Sequence, residues 1–320
     1  MAKHILNSSQ FDSDKVERLF QMSDEINQKI DQKREKELLR TLPGNILFSF
    51  FCEESTRTRF SFETAGMLLG MHVIGTENAK KFSSMVKGES LRHSIRTMCE
   101  LRANAIVLRH STEGSAKEAA EIADPYGVSI LNAGDGKGEH PSQALLDIYT
   151  IRNSFDKLEN LAVACGGDLA NGRTVRSLVR MLSSYDDISF RFFSPRELQM
   201  KQDVLDHLEK HGKRWRVCKT MEEALKGADV IYWTRSQLER FTSWQKIGRY
   251  FRALFAGNGK YIIGKHEMET WVKPDAILMH PLPIKDEIEA GVDNDSRSKY
   301  FEQVKNGLLV RMALLKYCLQ

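Results

Sequence analysis

Cysteine is scarce in this sequence and badly spaced for any framework. The five residues Cys52, Cys99, Cys165, Cys218 and Cys318 contain no C-x-x-C pair, and an odd number closes no set of disulfides. No tight Cys/His cluster has the spacing of a structural zinc site. Long apolar runs are missing too. None approaches the ~20 residues of a membrane span, and Met1-Ala2-Lys3-His4-Ile5-Leu6 lacks the apolar core of a secretory signal. A reducing cytoplasm is the expected compartment, with no membrane partner. Nor is there a large charge excess: Lys+Arg 47 against Asp+Glu 43 leaves a net +4, and the basic residues are scattered. Without a basic stripe interleaved with aromatics, nucleic acid is not the expected partner. Positive charge used in function must come from a few focused residues.

What is present is ordinary globular composition, 41% hydrophobic and 28% charged over 320 residues, long enough for two cores. An opening helix is expected over 13–30, with 31–40 as its solvated continuation. An apolar strand at 45–52 follows Pro43-Gly44. After it come the polar turn Glu53-Glu54-Ser55-Thr56-Arg57-Thr58-Arg59 and a helical spacing of Phe62, Ala65, Leu68 and Leu69. Strand, turn and helix then alternate: strands at 71–75, 105–108 and 128–132, helices at 90–101, 115–123 and 141–155. The alternation restarts with strands at 161–165, 188–193, 216–218, 229–233 and 276–279, helices at 173–183, 201–211 and 221–226, and a last helix near 307–319. The predicted fold is α/β: two doubly wound domains with parallel sheets, joined by long helices. The boundaries fall at 1–150, with a C-terminal helix of about 303–320 packing back on it, and 151–302. No Pro- or Ser-rich linker parts the halves, so the long helix is the expected joint and domain closure over a cleft is plausible.

Ser55-Thr56-Arg57-Thr58-Arg59 lies between a predicted strand and a predicted helix. Free N–H groups and the helix dipole favour an anion there, hydroxyls add donors, and arginine adds a planar fork matched to phosphate. The same residues also fit a helix cap flanked by solvated arginines; the residue types tilt toward the anion.

Phe51-Cys52-Glu53-Glu54-Ser55-Thr56-Arg57-Thr58-Arg59 with Ser61-Phe62-Glu63 resembles the carbamoyl-phosphate signature of the aspartate/ornithine carbamoyltransferase family. Further matching segments follow in family order. They are Leu108-Arg109-His110 with Glu113-Gly114, the run from His140 to Asp147, Gly167-Asp168-Leu169 with Gly172-Arg173-Thr174, His280-Pro281-Leu282-Pro283, and the end from Tyr300 to Leu314. The resemblance implies an enzyme that moves the carbamoyl group of carbamoyl phosphate to an amino acid, with no metal, nucleotide or other cofactor and no covalent intermediate. It places Ser55, Thr56, Arg57 and Thr58 on the phosphate and Arg109 between phosphate and carbonyl. His140 falls on the carbonyl oxygen and Gln143 on the carbamoyl amide, with Pro281 and Leu282 also lining the carbamoyl-phosphate site. It makes Arg57, Thr58, Lys87, Arg109 and His140 the catalytic set.

Ser83 and Lys87 match a family loop that reaches into a neighbouring subunit's site. The resemblance therefore implies a homotrimer with shared sites, and it allows a regulatory subunit as a further partner. For the second substrate it places Arg173 on the α-carboxylate and Arg235 and Gln237 on a side-chain carboxylate, with Lys87 and Leu282 nearby. Two arginines suit a dicarboxylate and would repel ornithine's cation. Pro281 also stands where ornithine-type members usually carry cysteine. The implied reaction uses L-aspartate and yields N-carbamoyl-L-aspartate and phosphate, a step of pyrimidine synthesis. The runners-up are transfer to another amino acid such as ornithine, and a non-catalytic scaffold. A nucleotide-dependent oxidoreductase is more distant, because Gly166-Gly167-Asp168-Leu169-Ala170-Asn171-Gly172 breaks the G-x-G-x-x-G pattern. The sequence departs from the family at Cys52, where an aromatic is common, Glu54 in place of proline, and Ile284 in place of arginine. It also carries an extra aromatic-basic stretch at 244–255.

Overall fold

The computed structural model describes residues 2–76, 88–136, 140–235 and 261–320. They form two compact units, Met1–Leu146 with Lys305–Gln320, and Asp147–Val304. The chain leaves the first unit within helix Pro141–Phe155 and returns within helix Tyr300–Leu319.

The first unit is built on four parallel strands, β1 (Ile46–Phe51), β2 (His72–Thr76), β3 (Ala105–His110) and β4 (Ser129–Asp135), in the order β2-β1-β3-β4. Parallel sheets are covered on both faces, so their inner strands are apolar almost throughout, and β1, β3 and β4 are buried along nearly their whole length. Phe48, Phe50, Ile106, Leu108 and Ile130 pack with Ile95 and Met98 of helix Leu91–Glu100 and with Ala119 of helix Ser115–Ala123. Burying each large side chain contributes roughly 1.5–3 kcal/mol. The helices start where the sequence supplies caps: Asp12 accepts the N–H of Lys15 at 2.8 Å and Ser90 that of His93 at 3.2 Å.

The second unit carries β5 (Ala162–Gly167), β6 (Ser189–Phe193), β7 (Arg214–Val217), β8 (Val230–Thr234) and β9 (Ile277–Met279), all parallel, in the order β7-β6-β5-β8-β9. Ala164, Ile231, Trp233 and Leu278 pack with Leu225, Met268 and Tyr300. The Trp233 indole N–H reaches the carbonyl of Tyr261 at 3.0 Å, so the buried ring leaves no donor stranded.

Three expectations need correction. The first helix does not run on through 31–40. It ends at Asp31, the chain turns at Lys33 with φ 57, and a separate short helix, Glu35–Leu38, buries Leu38. The last helix starts at Tyr300, not near 307, because Tyr300, Gln303 and Asn306 turn inward. A six-residue helix, Lys265–Thr270, occupies a stretch for which no element was expected.

Strand order decides where each unit can hold a ligand. From β1 the chain steps outward to β2, then returns to place β3 on the other side. From β5 it steps outward through β6 and β7, then returns to place β8 on the other side. In open α/β sheets the crevice beyond the carboxyl ends of the strands, where the winding reverses, is the binding position. That position is β1/β3 in the first unit and β5/β8 in the second.

Candidate active site

Beyond β1 and β3, Phe51 pairs with Arg109 in register, and the Cys52 N–H donates to the Arg109 carbonyl at 2.8 Å. The turn carrying residues 53–55 is thereby fixed against Arg109. Helix Thr56–Leu68 starts there, with Ser55 as its N-cap, no acidic residue in its first turn, and no capping bond from the Ser55 side chain. Thr56 and Arg57 are exposed, Ser55 is half-buried and Thr58 is buried. The first turn therefore offers backbone N–H groups, hydroxyls and a guanidinium without a carboxylate among them, which is an anion-binding arrangement.

Arg109 is half-buried. Its Nη1 donates to the Ala133 carbonyl at 3.0 Å, and its Nε lies 3.8 Å from a Glu53 carboxylate oxygen. One edge of the guanidinium is thus fixed by the backbone of β4. The loops that follow β3 and β4 are tied together through Asn132, Asp135 and Gly136, which sequence reasoning did not single out. Gly136 N–H donates to the His110 carbonyl at 2.8 Å. Asp135 accepts from the Gly114 N–H at 3.1 Å and from the Asn132 side chain at 3.2 Å, and Asn132 in turn accepts from the Gly134 N–H at 2.7 Å. Isolated Asn and Asp in a strand carry no pattern in sequence, so only the fold exposes this role. His140 is buried at the entry of helix Pro141–Phe155. Its carbonyl accepts from Gln143 and Ala144 N–H at 2.9 and 3.2 Å, and its Nδ1 lies 3.4 Å from the Ser142 hydroxyl. It is both the helix-entry residue and the imidazole placed after β4. Gln143 is half-buried in the first turn of the same helix.

Beyond β5 and β8 the construction repeats. Gly167 pairs with Thr234 in register, and the Thr234 hydroxyl donates to the carbonyls of Gly166 and Asp168 at 3.1 and 3.3 Å. Fully buried Asp168 accepts the N–H of Asn171 at 2.9 Å, closing the turn that leads to helix Arg173–Leu182. Arg173 is its first residue, half-buried, and again no acid occupies the first turn. Arg235 directly follows β8 and is also half-buried. The structure therefore brings Arg173 and Arg235 to the ends of two neighbouring strands.

Pro281 and Leu282 follow β9, which pairs with β8 through Tyr232 and Met279. Leu282 has φ 53, and the peptide to Pro283 is cis. Ser83, Lys87, Gln237 and the 244–255 stretch lie outside the described residues. Among the described residues, no group of three or more His, Cys, Asp or Glu side chains is placed to hold a metal ion.

Residues 3–153 match the family described as aspartate/ornithine carbamoyltransferase, carbamoyl-P binding domain, and residues 159–318 match its Asp/Orn binding domain. A chloroplastic aspartate carbamoyltransferase of Arabidopsis thaliana is 44% identical over 315 residues, 98% of this chain and 77% of that protein. Among solved structures, the catalytic subunit of M. jannaschii aspartate transcarbamoylase is similar with a TM-score of 0.87 and 37% identity, covering 99% of this chain and 97% of that one. The Trypanosoma cruzi aspartate transcarbamoylase in complex with N-(phosphonacetyl)-L-aspartic acid is similar with a TM-score of 0.90 and 35% identity, covering 100% and 96%. The two domain matches fall in turn on the sheet of β1–β4 and the sheet of β5–β9, and where the winding of each sheet reverses stands a helix whose first turn holds an arginine and no acidic residue. The chain belongs to the aspartate/ornithine carbamoyltransferase family.

Proposed function

We propose that this chain transfers the carbamoyl group of carbamoyl phosphate to the amino group of L-aspartate, releasing phosphate and N-carbamoyl-L-aspartate. The observation that carries the reading is the position of Ser55–Thr58 and Arg109 at one sheet's switch point and of Arg173 and Arg235 at the other's. The first set suits a phosphoryl dianion, the second a dicarboxylate. Similar proteins include ones named aspartate carbamoyltransferase, and a Trypanosoma cruzi aspartate transcarbamoylase structure is a complex with carbamoyl phosphate and aspartate.

The chemistry then follows from these side chains. Ser55, Thr56, Arg57 and Thr58 hold the phosphate, while Arg109 and His140 donate toward the carbonyl oxygen as it gains negative charge. Preorganised donors at a developing oxyanion are worth several kcal/mol, about 10²–10³ in rate for each one removed. Gln143, Pro281 and Leu282 orient the carbamoyl amide. The uncharged amine of aspartate, held through its carboxylates by Arg173, Arg235 and Gln237, attacks the carbonyl carbon. The C–O bond to phosphate breaks, and the departing phosphate is positioned to take the amine proton. Orientation supplies much of the remaining acceleration. Transfer to ornithine is disfavoured by Arg235, which on the side-chain end of the site would face its ammonium group.

Arg57→Ala should lose about 10²-fold or more in kcat with the fold intact. Near-normal turnover at saturating carbamoyl phosphate would overturn the assignment. The active unit proposed is a homotrimer in a reducing compartment, with Ser83 and Lys87 donated to the neighbouring subunit's site. Mixing Lys87→Ala chains with Arg57→Ala chains should restore part of the activity, since some sites would then hold both intact residues. No recovery in verified mixed trimers would refute shared sites.

A further inference from the structure

A buried polar chain in the second unit ends on the backbone of Leu282. Tyr232 of β8 donates its hydroxyl to one oxygen of Asp147 at 2.8 Å, and Gln303 donates its amide to the other at 2.7 Å. The Gln303 carbonyl oxygen accepts the backbone N–H of His280 at 2.8 Å. His280, whose side chain is fully buried, lies 2.9 Å through Nε2 from Glu287 Oε1, and its Nδ1 accepts the Leu282 N–H at 2.8 Å. A backbone N–H can only donate, so Nδ1 carries the lone pair and Nε2 carries the proton, which points at a carboxylate. Burial pushes the Glu287 carboxyl up, but hydrogen bonds from His280 and from backbone N–H groups outweigh it and hold it below the usual range. The acceptor is therefore anionic and keeps the proton on Nε2.

Leu282 needs such an anchor. Its φ of 53 is left-handed, a region that a γ-branched residue without local side-chain hydrogen bonding adopts at a cost. Such a conformation persists only where surrounding contacts over-determine it, and it is found disproportionately at sites of function. Here the contact is a ring nitrogen two residues back, held in one tautomer by Glu287.

We propose that His280 is a positioning residue for carbamoyl transfer: its Nδ1 fixes the left-handed backbone of Leu282 and so sets where that residue meets the reactants, while Glu287 selects the tautomer that makes this possible. The inference rests on the functional reading above, in which Leu282 lines both substrates.

Two conservative substitutions separate the two ring nitrogens. In His280→Asn, the amide oxygen stands near the place of Nδ1 and can still accept from Leu282, while the bond to Glu287 is lost. In His280→Gln, the terminal amide stands near Nε2 and can still donate to Glu287, while the Leu282 N–H loses its acceptor. The Asn variant forfeits the bond to anionic Glu287, worth more than the neutral bond lost in the Gln variant, so a purely structural role predicts that the Asn variant is the less stable and the less active of the two. Positioning predicts the opposite order in activity, whatever the melting temperatures. The Asn variant should stay within about 5-fold of wild type in kcat, and the Gln variant should fall by about 10²-fold, the scale of a 1 Å misplacement. Equal losses, or a Gln variant more active than the Asn variant, would overturn the proposal. Should neither variant fold, ¹⁵N-histidine spectra of the wild-type protein decide the point, because a proton on Nδ1 of His280 is incompatible with it. If wild type itself fails to turn over carbamoyl phosphate and aspartate, the functional reading fails, while the spectra still report the tautomer.

Discussion

Gly167 stands where the second sheet reverses its winding, and replacing it with alanine isolates one structural demand. Its φ is +92, and a Cβ built there would overlap the carbonyl oxygen of Thr234 on the neighbouring strand. The left-handed backbone costs an L-residue ~1–2 kcal/mol. The collision is with strand backbone that cannot rotate aside, and overpacking of this kind costs a further ~1–3 kcal/mol. The sum, about 2–5 kcal/mol, lies below the ~5–15 kcal/mol that holds a typical domain, so the unit stays folded but melts roughly 4–20 °C lower. Gly212→Ala is the matched control: it also has positive φ, +63, but nothing within 4 Å of the added carbon. It should cost only the backbone share, ~1–2 kcal/mol. Thermal melts of both variants, with KM for aspartate and the affinity for carbamoyl phosphate, make the assay. Relief of the collision parts β5 from β8, so the turn bearing Arg173 moves away from Arg235 and KM for aspartate rises. Carbamoyl-phosphate affinity should change less, because the residues that hold its phosphate, Ser55–Thr58 and Arg109, belong to the other unit. Equal melting temperatures for the two variants, or an unchanged KM for aspartate in Gly167→Ala, would refute the reasoning.

Arg235→Ala should raise KM for aspartate by about 10–100-fold, the worth of a charged hydrogen-bonded pair, leaving carbamoyl-phosphate affinity nearly unchanged; an equal loss of both affinities would remove Arg235 from the aspartate side. Glu287→Gln tests the anionic acceptor by pH. The folded carboxyl lies below its ordinary value of 4.5, so its stabilising share is full above that pH and is lost as pH falls through the folded value. The stability gap between wild type and variant in urea titrations should narrow on acidification from pH 7; a gap that widens would contradict the sign.

Most elements were legible because the signals were strong and local. The strand at 46–51 is a continuous run of Ile, Leu and Phe broken by one serine, and helix Pro141–Phe155 has the bounds its amphipathic spacing implies. What stayed hidden depends on partners far along the chain. Tyr232 and Asp147 are 85 residues apart, and Gln303 and Asp147 are 156 apart; no periodicity connects them. His280 could be quoted as part of a motif, but its dependence on Glu287 and its hold on Leu282 appear only once β9 and the last helix are placed. The start of that helix was missed for a related reason. The expected starts, near 307 or about 303, fall short of Tyr300, where Tyr300, Gln303 and Asn306 face the interior. The candidate site residues suggest a site only as a constellation, since singly they also fit a capped helix end or a solvated arginine.

The two helix starts show why local sequence rules fail at these positions. A helix N-terminus carries about half a positive charge and is stabilised by acids in its first turn. Helix Thr56–Leu68 instead opens on Thr56-Arg57-Thr58, and helix Arg173–Leu182 on Arg173-Thr174-Val175. Each arginine opposes its helix dipole, at ~0.3–1 kcal/mol, a local violation of the kind expected where function outweighs stability. An anion reverses the sign, since it satisfies both the N–H groups and the guanidinium. Arg57→Ala should accordingly stay folded without ligand, because alanine removes the opposing charge and has the best helix propensity. The stabilisation by carbamoyl phosphate, about 2.7 kcal/mol at a hundredfold excess over Kd, should shrink sharply in that variant. A clear loss of stability without ligand, combined with an undiminished shift on adding carbamoyl phosphate, would mean that Arg57 serves the fold and that the anion sits elsewhere.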